Sequence, residues 1–154
     1  MSNELASEWL LKAKVVRLVL SKDTEEAIEL VSQHYRIAKP NLRVGMPKRH
    51  SKKLACYVAN NRTIYVSNRE FLCNPHVILH EFYHHLRNAT STQKGLEKHA
   101  DRFAEDFLRA HNMVAAYDAL TTKTRIVSAR LVPAPKTHTN PEKRKVKEPK
   151  THAL

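Results

Sequence analysis

Residues 76–88, His-Val-Ile-Leu-His-Glu-Phe-Tyr-His-His-Leu-Arg-Asn, constrain this chain more than any other stretch. Within them His80-Glu81-Phe82-Tyr83-His84 spells H-E-x-x-H. On a helix, residues four apart sit about 40° apart on one face, so two imidazoles at that spacing can grip one metal ion. Glu81 then stands beside them, placed to act on an activated water without being a ligand itself. The flanking pattern supports the helix. At about 100° per residue, Ile78, Leu79, Phe82 and Leu86 gather on one side, with His80 and His84 roughly opposite. One face makes core and the other faces a cleft. A chain with 10 His can also produce the motif by chance on a solvated helix; the apolar phase and a suitable ligand downstream argue against that. Asn74-Pro75 gives the helix a start, with Pro in the first turn where a missing N–H costs nothing. His76 and His85 read as flanking polar residues rather than ligands.

The third ligand is expected from the next periodic segment, residues 95–108. Leu96, Ala100, Phe103, Ala104 and Phe107 form one helical stripe, with Glu97 and Asp101 side by side on its flank. His99 lies on the other flank, roughly 160° round the helix from Glu97, so one flank alone can face the metal. Glu97 is the better choice, because Asp101 one turn on can accept a ring N–H from a ligating histidine. His99 is the competing ligand, and an ordinary surface pair of acids is the plain alternative for Glu97 and Asp101. Two imidazoles and one carboxylate suit Zn2+.

With Glu97-Lys-His-Ala-Asp101 following His80-Glu81-Phe82-Tyr83-His84, the chain resembles the gluzincin metallopeptidases, and in its short gap between motifs and small size the minigluzincins in particular. The resemblance covers roughly residues 40–110. It implies an α+β zincin-like domain, with helices packed on a short, mainly antiparallel or mixed β-sheet and the H-E-x-x-H helix behind it. It implies a zinc-dependent endopeptidase acting on protein or peptide substrates, with His80, His84 and Glu97 as ligands, Glu81 as general base and Asp101 supporting a ligand. Gluzincins commonly place a Tyr or His downstream to stabilise the oxyanion; His111 and Tyr117 are the residues on offer, without a matching motif around either. The zincin strand nearest the cleft pairs with extended substrate, a role that 55–58 could fill. Minigluzincins are often latent, and a strand over 124–132 lying against that edge is the expected blocking segment.

The rest of the chain is read around this core. Two glycines in 154 residues favour helix over an all-β architecture. Residues 3–20 carry Leu5, Trp9, Ala13, Val16 and Leu20 at helical spacing, although the β-branched run 15–20 leaves a short strand open near the end. Asp23 and Glu26 look like a reciprocal cap opening a second helix through about Ala38, before Pro40. Leu42, Val44 and Met46 alternate as a strand, and 55–58 with 63–66 flank Asn60-Asn61 as a hairpin. The helix after the second motif is expected to persist to about Ala119, with a break near His111-Asn112. The expected organisation is N-terminal helices over 1–40, a catalytic core over 41–132, and a flexible, basic, Pro-rich tail over 133–154.

The formal charge of +12, from 27 Lys and Arg against 15 acids, favours polyanionic partners. The basic loop 47–53 and the tail 136–150 are the candidate nucleic-acid contacts. That charge sustains two competing readings: a nucleic-acid-associated binding protein with a structural or vestigial zinc site, and a DNA-associated protease. Cys56 and Cys73 are too few for a disulfide framework, and with no cleavable signal sequence they suggest a cytoplasmic protein. No apolar run is long enough for a membrane span.

Overall fold

A computed structural model describes residues 2–91 and 96–131. The order is α1 (Ser2–Leu20), α2 (Thr24–Tyr35), β1 (Asn41–Val44), β2 (Ala55–Val58), β3 (Thr63–Val66), α3 (Pro75–Thr90) and α4 (Glu97–Leu131), with short 3-10 turns at Lys48–His50, Ala59–Asn61 and Arg69–Cys73. This is an α+β fold in which four helices pack against a small mixed sheet.

The sheet runs β1-β3-β2, with β1 parallel and β2 antiparallel to β3. The expected hairpin is therefore present, joined through Ala59–Asn61 and Arg62, which takes a left-handed conformation at φ 50°. β1 ends at Gly45, whose φ of 105° suits a residue without Cβ. β2 is an edge strand. The Ser67 N–H donates to the Leu54 carbonyl at 2.8 Å, so antiparallel alternation turns the backbone groups of Cys56 and Val58 toward β3 and those of Ala55 and Tyr57 away from it.

One core serves all these elements. Val15, Val16 and Val19 of α1, Ala27, Ile28 and Val31 of α2, Ile64 and Val66 of β3, Ile78, Leu79 and Phe82 of α3 and Ala104 and Phe107 of α4 form a single buried cluster. The N-terminal helices are thus part of the body that carries the H-E-x-x-H helix. The β-branched end of α1 stays helical because its three valines fill that core.

Three expectations need correction. The Asp23 side chain makes no cap bond; the Thr24 hydroxyl instead donates to the Leu72 carbonyl and ties α2 to the segment before α3. α2 stops at Tyr35 rather than Ala38, because Arg36 turns left-handed (φ 55°) and the N–H groups of Arg36 and Ile37 return to the Gln33 and Ser32 carbonyls, closing a Schellman turn. In place of the expected strand over 124–132, residues 124–131 are helical: α4 is continuous from Glu97 through Leu131, without a break at His111-Asn112. A strand-like blocking segment over 124–131 is excluded with it, while Val132 and the tail 133–154 lie outside the described residues. Both cysteines are free, and among the described residues no helix is long and apolar enough to cross a membrane.

Candidate metal centre

α3 begins where the sequence expects. The Asn74 carboxamide accepts from the Val77 N–H at 3.2 Å, and Pro75 takes the first turn. Ile78, Leu79 and Phe82 are fully buried, which fixes the rotation of the helix. His80 and His84 then emerge together on the opposite side, half-buried. Ala100, Ala104 and Phe107 anchor α4 in the same way and leave Glu97 and Asp101 on the flank that faces α3. His99 is exposed and stays outside the site.

The result is a cluster of three. His80 Nε2 lies 2.9 Å from a Glu97 carboxylate oxygen, His84 Nε2 lies 3.5 Å from the other, and the two histidine Nε2 atoms are 3.3 Å apart. Ligand atoms held about 2.0–2.2 Å from a tetrahedral ion sit about 3.3–3.6 Å from one another. The two histidines approach different oxygens of Glu97, and with one ligand atom taken from each residue all three lie within 4.8 Å of one another, a spacing that side-chain adjustment could close around an ion. His80, His84 and Glu97 could therefore hold a metal ion. The donor set does not by itself specify which metal.

The surroundings prepare these ligands. Asp101 lies 2.9 Å from His80 Nδ1; a carboxylate can only accept, so it can hold a proton on Nδ1 and leave Nε2 as the atom offered to an ion. His76 reaches the same carboxylate at 3.9 Å without joining the ligand group. Burial pushes the His84 pKa down, against the opposing pull of Glu97, and so favours the neutral form that binds metals. Glu81 is 9 % exposed. Burial raises its pKa, partly offset by His80 and by a hydrogen bond donated from the Tyr57 backbone N–H. That N–H is one of the outward-facing groups of β2, so the edge strand runs directly beside the would-be base.

His85 departs from its expected role as a flanking polar residue. It is 1 % exposed. Its Nε2–H donates to the Ala38 carbonyl at 2.7 Å and its Nδ1 accepts from the Tyr57 hydroxyl at 3.0 Å. Burial lowers its pKa, consistent with a neutral ring satisfied at both nitrogens. His85 thereby pins α3 to β2 at the level of Glu81. Its position on the helix, between the apolar stripe and the site, was the available signal.

His111 and Tyr117 do not reach the centre. The unbroken α4 carries them about 20 and 30 Å along its axis from Glu97, and Tyr117 is 68 % exposed. An open cavity of about 670 Å³ adjoins the cluster, lined by Glu81, His84 and Glu97, by Cys56 to Asn60 of β2 and its turn, and by the basic loop. His50 of that loop also lines it, as does Asn88, a polar group to which the sequence had assigned no role. Compared with models of known protein families, with curated proteins and with solved structures, the chain matches none.

Proposed function

We propose that this protein is a zinc-dependent endopeptidase of minigluzincin-like design. The observation that carries the reading is the convergence of His80, His84 and Glu97, with ligand atoms within 4.8 Å of one another, beside a buried Glu81 and an open cavity. A closed structural zinc site needs a fourth protein ligand; among the described residues three converge, which favours the catalytic over the structural reading.

Bound zinc supplies Lewis-acid polarisation of a carbonyl and a water whose pKa falls to about 7. The chain's own groups do the rest. His80, His84 and Glu97 hold the ion, and Asp101 fixes the tautomer of His80. With the Tyr57 N–H held by Glu81, the outward backbone groups of Ala55 and the Tyr57 carbonyl pair with an extended peptide and align its scissile bond. Glu81, made more basic by burial, accepts the proton of the attacking water and passes it to the leaving amine.

The test is metal content and cleavage measured together. The purified protein should carry stoichiometric zinc, Glu81→Gln should retain it, and Glu97→Ala should lose most of it. Peptide cleavage by the parent should fall about 10²–10⁴-fold in Glu81→Gln. A parent that takes up no zinc, or a Glu81→Gln variant as active as the parent, overturns the reading.

A further inference from the structure

The loop between β1 and β2 places Lys48, Arg49 and Lys53 on the wall of the cavity that contains Glu81, His84 and Glu97. All three side chains are exposed. None forms an ion pair among the described residues, although carboxylates elsewhere on the surface do pair, as Glu25 does with Lys39 and Asp106 with Lys12. The two acids that line the cavity are already engaged, Glu97 with His80 and Glu81 with the Tyr57 N–H. No ion pair therefore consumes the charge on this wall, although Lys53 and the buried Glu81 feel each other's charge across the cavity. Lys53 is near enough for its charge to be felt at Cys56, another lining residue. The loop is also held in shape: its 3-10 turn is closed by His50 N–H to the Pro47 carbonyl at 2.8 Å and continued by Lys53 N–H to His50 at 2.9 Å.

We infer that Lys48, Arg49 and Lys53 select the substrate, so that the site takes peptide segments carrying Asp or Glu side chains near the cleaved bond. The inference rests on the peptidase reading and names its substrate class. Acidic peptide fits better than nucleic acid because of where the cations stand. A nucleic-acid surface gains affinity from many contacts spread along a phosphate backbone. Here three cations are gathered on one short loop, on the wall of an open cavity beside an edge strand, whose natural partner is another peptide strand. Opposite charge on the two sides also speeds encounter and penalises basic sequences, so it discriminates as well as attracts.

Two measurements on the full-length, zinc-loaded protein test this. In the first, a pool of peptides of mixed sequence is digested and the cleaved bonds are identified by mass spectrometry. Asp and Glu should be enriched beside the cleaved bonds for the parent, and the enrichment should vanish or invert to Lys and Arg in Lys48→Glu/Arg49→Glu/Lys53→Glu, with zinc content unchanged. Cleavage by the parent without acidic enrichment overturns this inference and leaves the peptidase reading standing. No cleavage by the parent counts against the peptidase reading, and the second measurement then decides the loop's role.

In that measurement, a fluorescent oligoglutamate peptide is titrated into the Glu81→Gln protein with and without the triple charge reversal. The parent loop should bind about tenfold or more tightly than the reversed one, since each exposed charge pair contributes a modest amount, and the difference should shrink as salt is raised. Equal binding by both proteins overturns the inference. So does a single-stranded oligonucleotide of matched charge that binds more tightly than the peptide and loses its affinity in the reversed protein, which would assign the loop to nucleic acid.

Discussion

His85 and Asp101 work through other residues, and each invites its own test. His85 is buried with both ring nitrogens engaged, so His85→Ala leaves the Ala38 carbonyl and the Tyr57 hydroxyl without that partner. Orphaned buried polar groups cost about 1–3 kcal/mol each. We expect urea unfolding to show a loss of about 2–4 kcal/mol, with His85→Phe recovering volume but not the hydrogen bonds. An unchanged urea midpoint in both variants would show that the ring is not held as described. Asp101 lies 2.9 Å from His80 Nδ1. Asp101→Ala frees the ring to rotate and to move its proton, and loss of such a support typically weakens metal affinity about 10–100-fold. Competition against a chromophoric chelator reads this directly, and an affinity equal to the parent's would remove Asp101 from the site.

At the scale of elements, α4 divides into two parts that sequence periodicity renders alike. Up to Ala110 its apolar residues are core; beyond, Met113, Tyr117 and Leu120 continue the spacing yet stand exposed. Phe107 is 1 % exposed, with its ring 4.9 Å from that of Phe103 and Lys12 above it at 5.7 Å. Phe107→Ala should therefore cost about 3–5 kcal/mol, while Tyr117→Ala, at an exposed position, should stay within about 0.5 kcal/mol. Comparable losses for the two would mean that the distal half of α4 is packed against something. The legible and illegible parts of the fold separate on the same physical ground. α3 was legible because its apolar stripe, its Asn-Pro start and its histidine spacing agree in phase. Glu97 was preferred to His99 for the support Asp101 could lend, and those two acids do face α3. The end of α1 at Leu20 was legible, whereas the end of α2 was hidden because its left-handed closing residue is Arg36, not the glycine that usually marks such a turn. The β-branched run Ile126-Val127 suggested a strand, but among the described residues no strand pairs with it and local helix hydrogen bonding prevails. His85 was misjudged because periodicity places a residue on a face without saying whether a carbonyl and a hydroxyl wait there for it.

For the whole molecule, the candidate metal centre is a joint between two helices distant in sequence. His80 and His84 come from α3 and Glu97 from the first turn of α4, and the remaining packing between those helices is supplied by the common core, with Phe82 stacked on Phe103 at 6.3 Å. Because the core already holds α3 against α4, the chain should fold without metal. On the proposed reading, zinc should then add stability by mass action, since the unfolded chain has no assembled site. At a free concentration about 100 times its dissociation constant the gain is about 2.7 kcal/mol, or about 5–10 °C in melting temperature for a chain of this size. Differential scanning calorimetry should show that rise on adding zinc, its reversal by a chelator, and its absence in Glu97→Ala. A parent that unfolds completely on chelation would instead mean that the ion is needed to hold α3 and α4 together. A parent whose melting is indifferent to zinc would mean that the three side chains meet without serving as a site.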